Sequence, residues 1–334
     1  MHGNDGRTGF ERTTVVDRGR FADAVTPWDD DAWRREVLGW AEGVLDGHGL
    51  VETGAREVRV RPWSVLVRLR TGEGARDAVW LKAGAPSNAF EAGLAGALAA
   101  WVPEHVMTPL AVDAGRGWSL LPDGGPLFRG VLDAGGAGPE AWVTALGQYG
   151  AMQRALVPYA DRLDGLGVPG ARTRELPEVF DALVAGNPLF DADERAALLR
   201  RRPRLVDLCA ELDAYGLPES LDHCDLHDGQ ILAPSPGRFT FFDWGDACAA
   251  PVREVRERYG PEHVAPMVDA YLEHWTGLGP SPAELRRAAV LAVRLAALGR
   301  AGSWFRLFPG TPTGDSEESA ASWVRELFAA ADEW

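Results

Sequence analysis

His223-Cys224-Asp225-Leu226-His227-Asp228-Gly229-Gln230 leads directly into a β-hairpin pattern, and Phe242-Asp243-Trp244-Gly245-Asp246 leaves it. The strands Gln230-Ile231-Leu232-Ala233 and Phe239-Thr240-Phe241-Phe242 flank Pro234-Ser235-Pro236-Gly237, a run of turn-forming residues. A hairpin joins its two ends in space, so Asp225, Gln230 and Asp243 are expected together. Such a set suits phosphoryl transfer, which needs metal ions bridging phosphates, a group orienting the attacking hydroxyl, and a cation on the non-transferred phosphates. Asp225 is the candidate to accept the hydroxyl hydrogen. The Gln230 amide oxygen and the Asp243 carboxylate are the hard oxygens that Mg2+ takes alongside phosphate. The alternation His223-x-Asp225-x-His227 also admits a transition-metal site, but no further ligand cluster accompanies it.

Upstream, the pattern changes character. Thr26-Pro27-Trp28-Asp29 predicts a helix start, with Pro in the first turn and acids at the positive end. The helix runs through Trp33, Val37, Leu38, Trp40 and Leu45, and its tryptophans read as core. Between Val58 and Lys82 the period is two, giving strands at 58–61, 64–70 and 78–82, with a turn at 71–74. A helix carrying Phe90, Leu94, Leu98 and Trp101 follows, then strands at 108–112 and 117–121, then the breaker run 122–126. Beyond it helices dominate, near 139–159, 176–186, 191–201, 203–214, 261–277, 282–303 and 318–332.

Composition adds a sharper fact. The chain has 34 basic residues, and all but Lys82 are Arg. A position that keeps Lys in so Arg-rich a sequence points to a need for a compact ammonium on a slim stem, which the planar guanidinium cannot replace. The net charge of −15 argues against a nucleic-acid polymer as partner and is compatible with a cationic small molecule. No window approaches 18 uninterrupted apolar residues, so no membrane span is expected. The polar N-terminus and three cysteines, Cys209, Cys224 and Cys248, without metal-site spacing, point to a cytoplasmic protein with reduced thiols.

The two motifs around the hairpin resemble the catalytic and metal-binding loops of the aminoglycoside phosphotransferase and choline kinase-like families. Trp63-Ser64-Val65-Leu66-Val67-Arg68, Val79-Trp80-Leu81-Lys82 and Phe90-Glu91 resemble the nucleotide lobe of the same families. The resemblance covers roughly residues 28–305. It implies an α+β, two-lobed protein-kinase-like fold, with a small antiparallel sheet in the N-terminal lobe and a larger, mainly helical C-terminal lobe. Residues 1–27 are then a flexible extension, 28–121 the nucleotide-binding lobe with its leading helix, 122–126 the hinge, and 127–334 the helical lobe.

The resemblance also implies roles. Asp225 matches the catalytic aspartate and Asp243 the main magnesium ligand, with Gln230 where the family usually has Asn. Lys82 matches the lysine on the nucleotide phosphates, and Glu91 the glutamate that positions it. Ser64 and its neighbouring backbone stand in for a phosphate loop, because G-x-G-x-x-G is missing. Leu121 and Asp123 offer backbone groups to a purine. His223 and Asp246 orient the loop, while Asp228 is expected to face solvent. The implied activity is transfer of the γ-phosphate of ATP or GTP, with Mg2+, to a hydroxyl of a small substrate such as an aminoglycoside or another antibiotic or natural product. The departures at Gln230 and at the phosphate loop motivate the alternative of a weak or inactive kinase-like nucleotide-binding protein.

Overall fold

A computed structural model describes residues 13–19, 26–72, 77–170, 172–245, 261–307 and 315–329. The chain divides into two compact units, 1–103 with 107–125, and 104–106 with 126–334.

The first unit is built on a six-stranded sheet: β1 (Thr13–Asp17), β2 (Arg56–Val60), β3 (Ser64–Arg70), β4 (Ala78–Gly84), β5 (Ala111–Asp113) and β6 (Trp118–Pro122), in the order β1-β2-β3-β4-β6-β5. On β2 buried and exposed residues alternate strictly, with Val58 and Val60 on the covered side, as period two requires of a half-buried strand. Helix α1 (Asp31–Gly47) buries Val37, Leu38, Ala41 and Leu45 in one core with Val58, Val65, Val67, Leu81 and Leu120. The expected helix entry at 26–29 is a 3-10 turn, Pro27–Asp29, and α1 begins at Asp31. Asp30 accepts from Ala32 N at 2.8 Å, and Asp29 accepts from the Thr26 amide and hydroxyl at 2.9 and 2.8 Å. Trp28, Trp33, Trp40 and Trp118 form a chain of ring contacts 5.8–6.0 Å apart, which confirms them as core.

Two expectations fail here. The sheet is mixed, because β1 pairs parallel with β2 while the other pairs are antiparallel. The strand also comes from the segment expected to be a flexible extension. Its Thr-Thr-Val-Val run is β-branched, but too short and isolated to stand out. The strand is tied down by Arg61, which donates to the Asp17 carbonyl at 2.9 Å and its carboxylate at 2.7 Å.

The second unit is mainly helical. Its members are α3 (Phe128–Asp133), α4 (Pro139–Leu156), α5 (Ala160–Leu163), α6 (Leu176–Gly186), α7 (Ala192–Leu199), α8 (Arg202–Ala214), α9 (Val264–Glu273), α10 (Pro282–Leu307) and α11 (Asp315–Glu326). Most periodic segments appear within a few residues of their expected bounds; the last helix, expected at 318–332, ends at Glu326, residues 330–332 lie outside the described residues, and the short α3 and α5 were not foreseen. Leu183, Leu205, Leu291, Leu295, Leu298 and Val324 share one core from α6, α8, α10 and α11. Helix α10 is long and apolar enough by length and composition to cross a membrane, yet that core occupies its apolar side.

The hairpin β7 (Ile231–Ser235) and β8 (Arg238–Phe241) is antiparallel, pairing Ile231 with Phe241 and Leu232 with Thr240. Gln148 of α4 grips it, donating to Gly237 O at 2.7 Å and accepting from Phe239 N at 3.0 Å. Phe128, Trp142 and Phe239 stack edge to face around its root, 4.9–5.0 Å apart.

Helices α4 and α9 approach closely at Gly150. A Cβ built there would stand 2.8 Å from the Tyr271 carbonyl oxygen, a contact that only backbone movement relieves. Gly150→Ala is expected to destabilise the protein by about 1–3 kcal/mol in urea unfolding. An unchanged midpoint would contradict this packing.

Candidate active site

The second unit brings His223, Asp225, Gln230 and Asp243 together. Gln230 closes the hairpin, its carbonyl accepting from Phe242 N at 3.3 Å, so Asp243 emerges beside it. The Gln230 side chain bonds the Asp225 carboxyl, and the charge of Asp243 is near enough to act on that carboxyl.

His223 is fully buried, and both ring nitrogens are used. Nε2 donates to the Phe242 carbonyl at 2.7 Å, and Nδ1 accepts from the Asp225 amide at 3.3 Å. One imidazole thus ties the residue before Asp243 to Asp225 itself. Burial pushes its pKa down, which keeps the neutral tautomer that this pattern demands. With neither nitrogen free, His223 is not a metal ligand, and the transition-metal alternative loses its first member. The ring also lies 4.6 Å from that of Trp244.

Two non-glycine residues with positive φ bracket the site, Cys224 at 65° and Asp243 at 68°. Left-handed backbone at such residues costs about 1 kcal/mol or more and persists only where its surroundings enforce it. Here it turns the chain sharply on either side of the imidazole bridge.

A hydrogen-bonded web holds the loop from below. Tyr149 of α4 donates to Asp222 Oδ1 at 2.7 Å and accepts from His223 N at 2.8 Å and Gln153 Nε2 at 3.1 Å. Tyr271 of α9 donates to Gln153 Oε1 at 2.6 Å. Burial, and then the nearby Asp222 charge, push both phenols up, so they act as fixed neutral donors.

Asp228 is not solvent-facing. It is buried, and Arg129 Nε donates to it at 2.6 Å, while Arg129 Nη2 lies 3.2 Å from His227 Nδ1. Arg129 sits on α3, a helix too short to be read from its pattern, so the partner was invisible. His227 packs nearby as expected, Nε2 3.7 Å from Asp225 Oδ2.

Asp225 itself is half-buried. Burial pushes its carboxyl up, against the lowering effect of Arg300 and of the Gln230 bond. Arg300 of α10 forms an ion pair with Asp225 that the sequence did not reveal, because nothing in a helical arginine far downstream marks its target. Beside the loop lies a cavity of about 450 Å³, within the size range of small-molecule sites. Its wall runs along one stripe of α10 from Leu285 through Ala292 to Gly299, and it includes Asp222, Cys224 and Trp275.

The remaining candidates lie in the first unit. Lys82 on β4 is buried and ion-paired with Glu91 in the first turn of α2 (Phe90–Trp101). Ser64 is buried at the start of β3, opposite Gly84. Leu121 faces Trp80 across β6 and β4. The Asp123 carboxylate caps Gly125 N at 3.0 Å. Asp246 lies outside the described residues.

A bound magnesium ion would meet an amide oxygen from Gln230 and a carboxylate from Asp243, hard donors that fit it. Among the described residues no group of three or more His, Cys, Asp or Glu that could hold a metal ion is found.

Tyr149→Phe removes the acceptor of a buried amide and is expected to cost about 1–3 kcal/mol in urea unfolding. A change below 0.5 kcal/mol, within the usual scatter of neutral substitutions, would refute the bracing role.

No protein-family model matches the chain, and no curated protein is significantly similar in sequence. Solved structures do match. The GDP and kanamycin complex of APH(2")-IIia aligns with TM-score 0.56 and 14% identity, covering 87% of this chain and 99% of that one. An ethanolamine kinase of Plasmodium vivax aligns with TM-score 0.55 and 13% identity over 88% of each chain. A choline/ethanolamine kinase family protein from Mesorhizobium loti aligns with TM-score 0.52 and 18% identity over 88% and 95%. Over most of its length the chain therefore has the protein-kinase-like fold shared by these structures.

Proposed function

We propose that the chain is a small-molecule kinase, transferring the γ-phosphate of ATP or GTP to a hydroxyl of a small substrate. The observation that carries this reading is the gathering of Asp225, Gln230 and Asp243 at the foot of one hairpin, linked through His223. The fold shared with the ethanolamine kinase and with the phosphotransferase solved with GDP and kanamycin supports it. Asp225 orients the acceptor hydroxyl and takes its hydrogen. Gln230 and Asp243 hold magnesium, which when bound neutralises phosphate charge. Lys82, kept in place by Glu91, holds the non-transferred phosphates; Ser64 offers them its hydroxyl, and Leu121 and Asp123 offer backbone groups to the base. The acceptor is a small hydroxylated molecule, and the chain's net charge of −15 is compatible with a cationic one, as some antibiotics are.

Asp225→Ala should leave Mg-nucleotide binding nearly intact while turnover falls by about 10²–10⁴-fold, measured by phosphate transfer across a panel of hydroxylated compounds. Wild-type turnover in that variant would end the assignment. Lys82→Arg keeps the charge but not the shape, and kcat/KM should drop by about tenfold or more.

Gln230 in place of Asn and the missing G-x-G-x-x-G loop motivate a second reading, a nucleotide-binding protein of this fold with weak or no transfer. Mg-nucleotide binding without turnover of any acceptor supports that reading over the first.

A further inference from the structure

We infer that Arg300 is a positioning residue for the transfer reaction: carried on α10, it aims the Asp225 carboxylate and is itself held by Trp323 of α11. This rests on the phosphoryl-transfer reading above. The Arg300 Nη1 group meets Asp225 Oδ1 with the two side chains only 14% and 20% exposed. The guanidinium carbon lies 5.2 Å from the Trp323 ring centroid, which restricts the arginine to one direction.

The geometry is poor for a purely structural staple. Arginine grips carboxylates best with two parallel hydrogen bonds, yet here Nε is buried without a hydrogen-bond partner. A buried orphan donor costs stability, and breaking even between two buried charges already requires good pairing. The arrangement leaves the Nε donor unsatisfied while placing the guanidinium against the Asp225 carboxylate. Asp225 is also bonded by Gln230, so the carboxylate is held from the hairpin and from α10 at once. The residue before Arg300, Gly299, lines the cavity. One helix therefore lines this cavity and, on the next residue, carries the cation paired with Asp225.

The test uses the full chain with Mg2+, ATP or GTP, and an acceptor that the wild type phosphorylates. Arg300→Met is expected to lower kcat about 100-fold, as a misplaced reacting group does, with KM for Mg-nucleotide within about twofold, a pattern assigning the loss to the catalytic step. Added guanidinium ion should restore part of the lost kcat. In an Asp225→Asn background the same change should cause no further loss, because the two residues act as one unit. Arg300→Lys keeps the stem and charge without the fork and guards against misfolding of the methionine variant. It is expected to unfold within a few degrees of wild type and to lose kcat about tenfold. Full kcat in either folded variant, or equal losses with and without Asp225, overturns the inference. If the wild type transfers phosphate to no acceptor, it is the phosphoryl-transfer reading that fails. Crystal structures then still decide on Arg300: an Asp225 rotamer changed in Arg300→Met supports positioning, and an unchanged one refutes it.

Discussion

The imidazole of His223 is the contact on which the rest of the site depends. It donates to the carbonyl before Asp243 and accepts from the amide of Asp225, so two segments on opposite sides of a hairpin move as one. A protonated ring would set a donor against the Asp225 N–H, and burial opposes that state. The bridge works only with a neutral, single-tautomer histidine in a dry pocket. The φ values of +65° at Cys224 and +68° at Asp243 are the local cost of bringing the backbone to both nitrogens.

Support for that histidine comes from helices distant in sequence. Tyr149 and Gln153 on α4, with Tyr271 on α9, form a closed set of donors and acceptors around Asp222 and the His223 amide. Buried polar webs of this kind are stable only when every member is satisfied, which explains the close α4–α9 approach at Gly150. Arg129 secures the far end of the loop through Asp228. The loop is thus held from three elements, α3, α4 and α9.

Electrostatics inside the site are balanced by design of placement rather than by number. Burial and Asp243 both disfavour a charged Asp225, while Arg300 and Gln230 favour it. The first unit shows the same economy, with the single lysine of the chain buried against Glu91. In both places a charge is kept in a sheltered position beside an opposite charge, where it acts at higher strength than in bulk water.

The sequence alone determined the periodic elements and the local motif. Period-two runs gave β3 and β4, period 3.6 gave helices such as Leu176–Gly186, and a turn-bounded pair of apolar runs gave the hairpin with Asp225, Gln230 and Asp243 around it. These are near-neighbour effects, written in residues a few positions apart. Only the tertiary structure decided what lies far apart in the chain: the parallel docking of β1, the burial of Asp228 by Arg129, the Tyr149–Asp222 brace and the pairing of Arg300 with Asp225. Each depends on where whole helices and strands come to rest, and a side chain's partner across such distances leaves no periodic trace in the sequence.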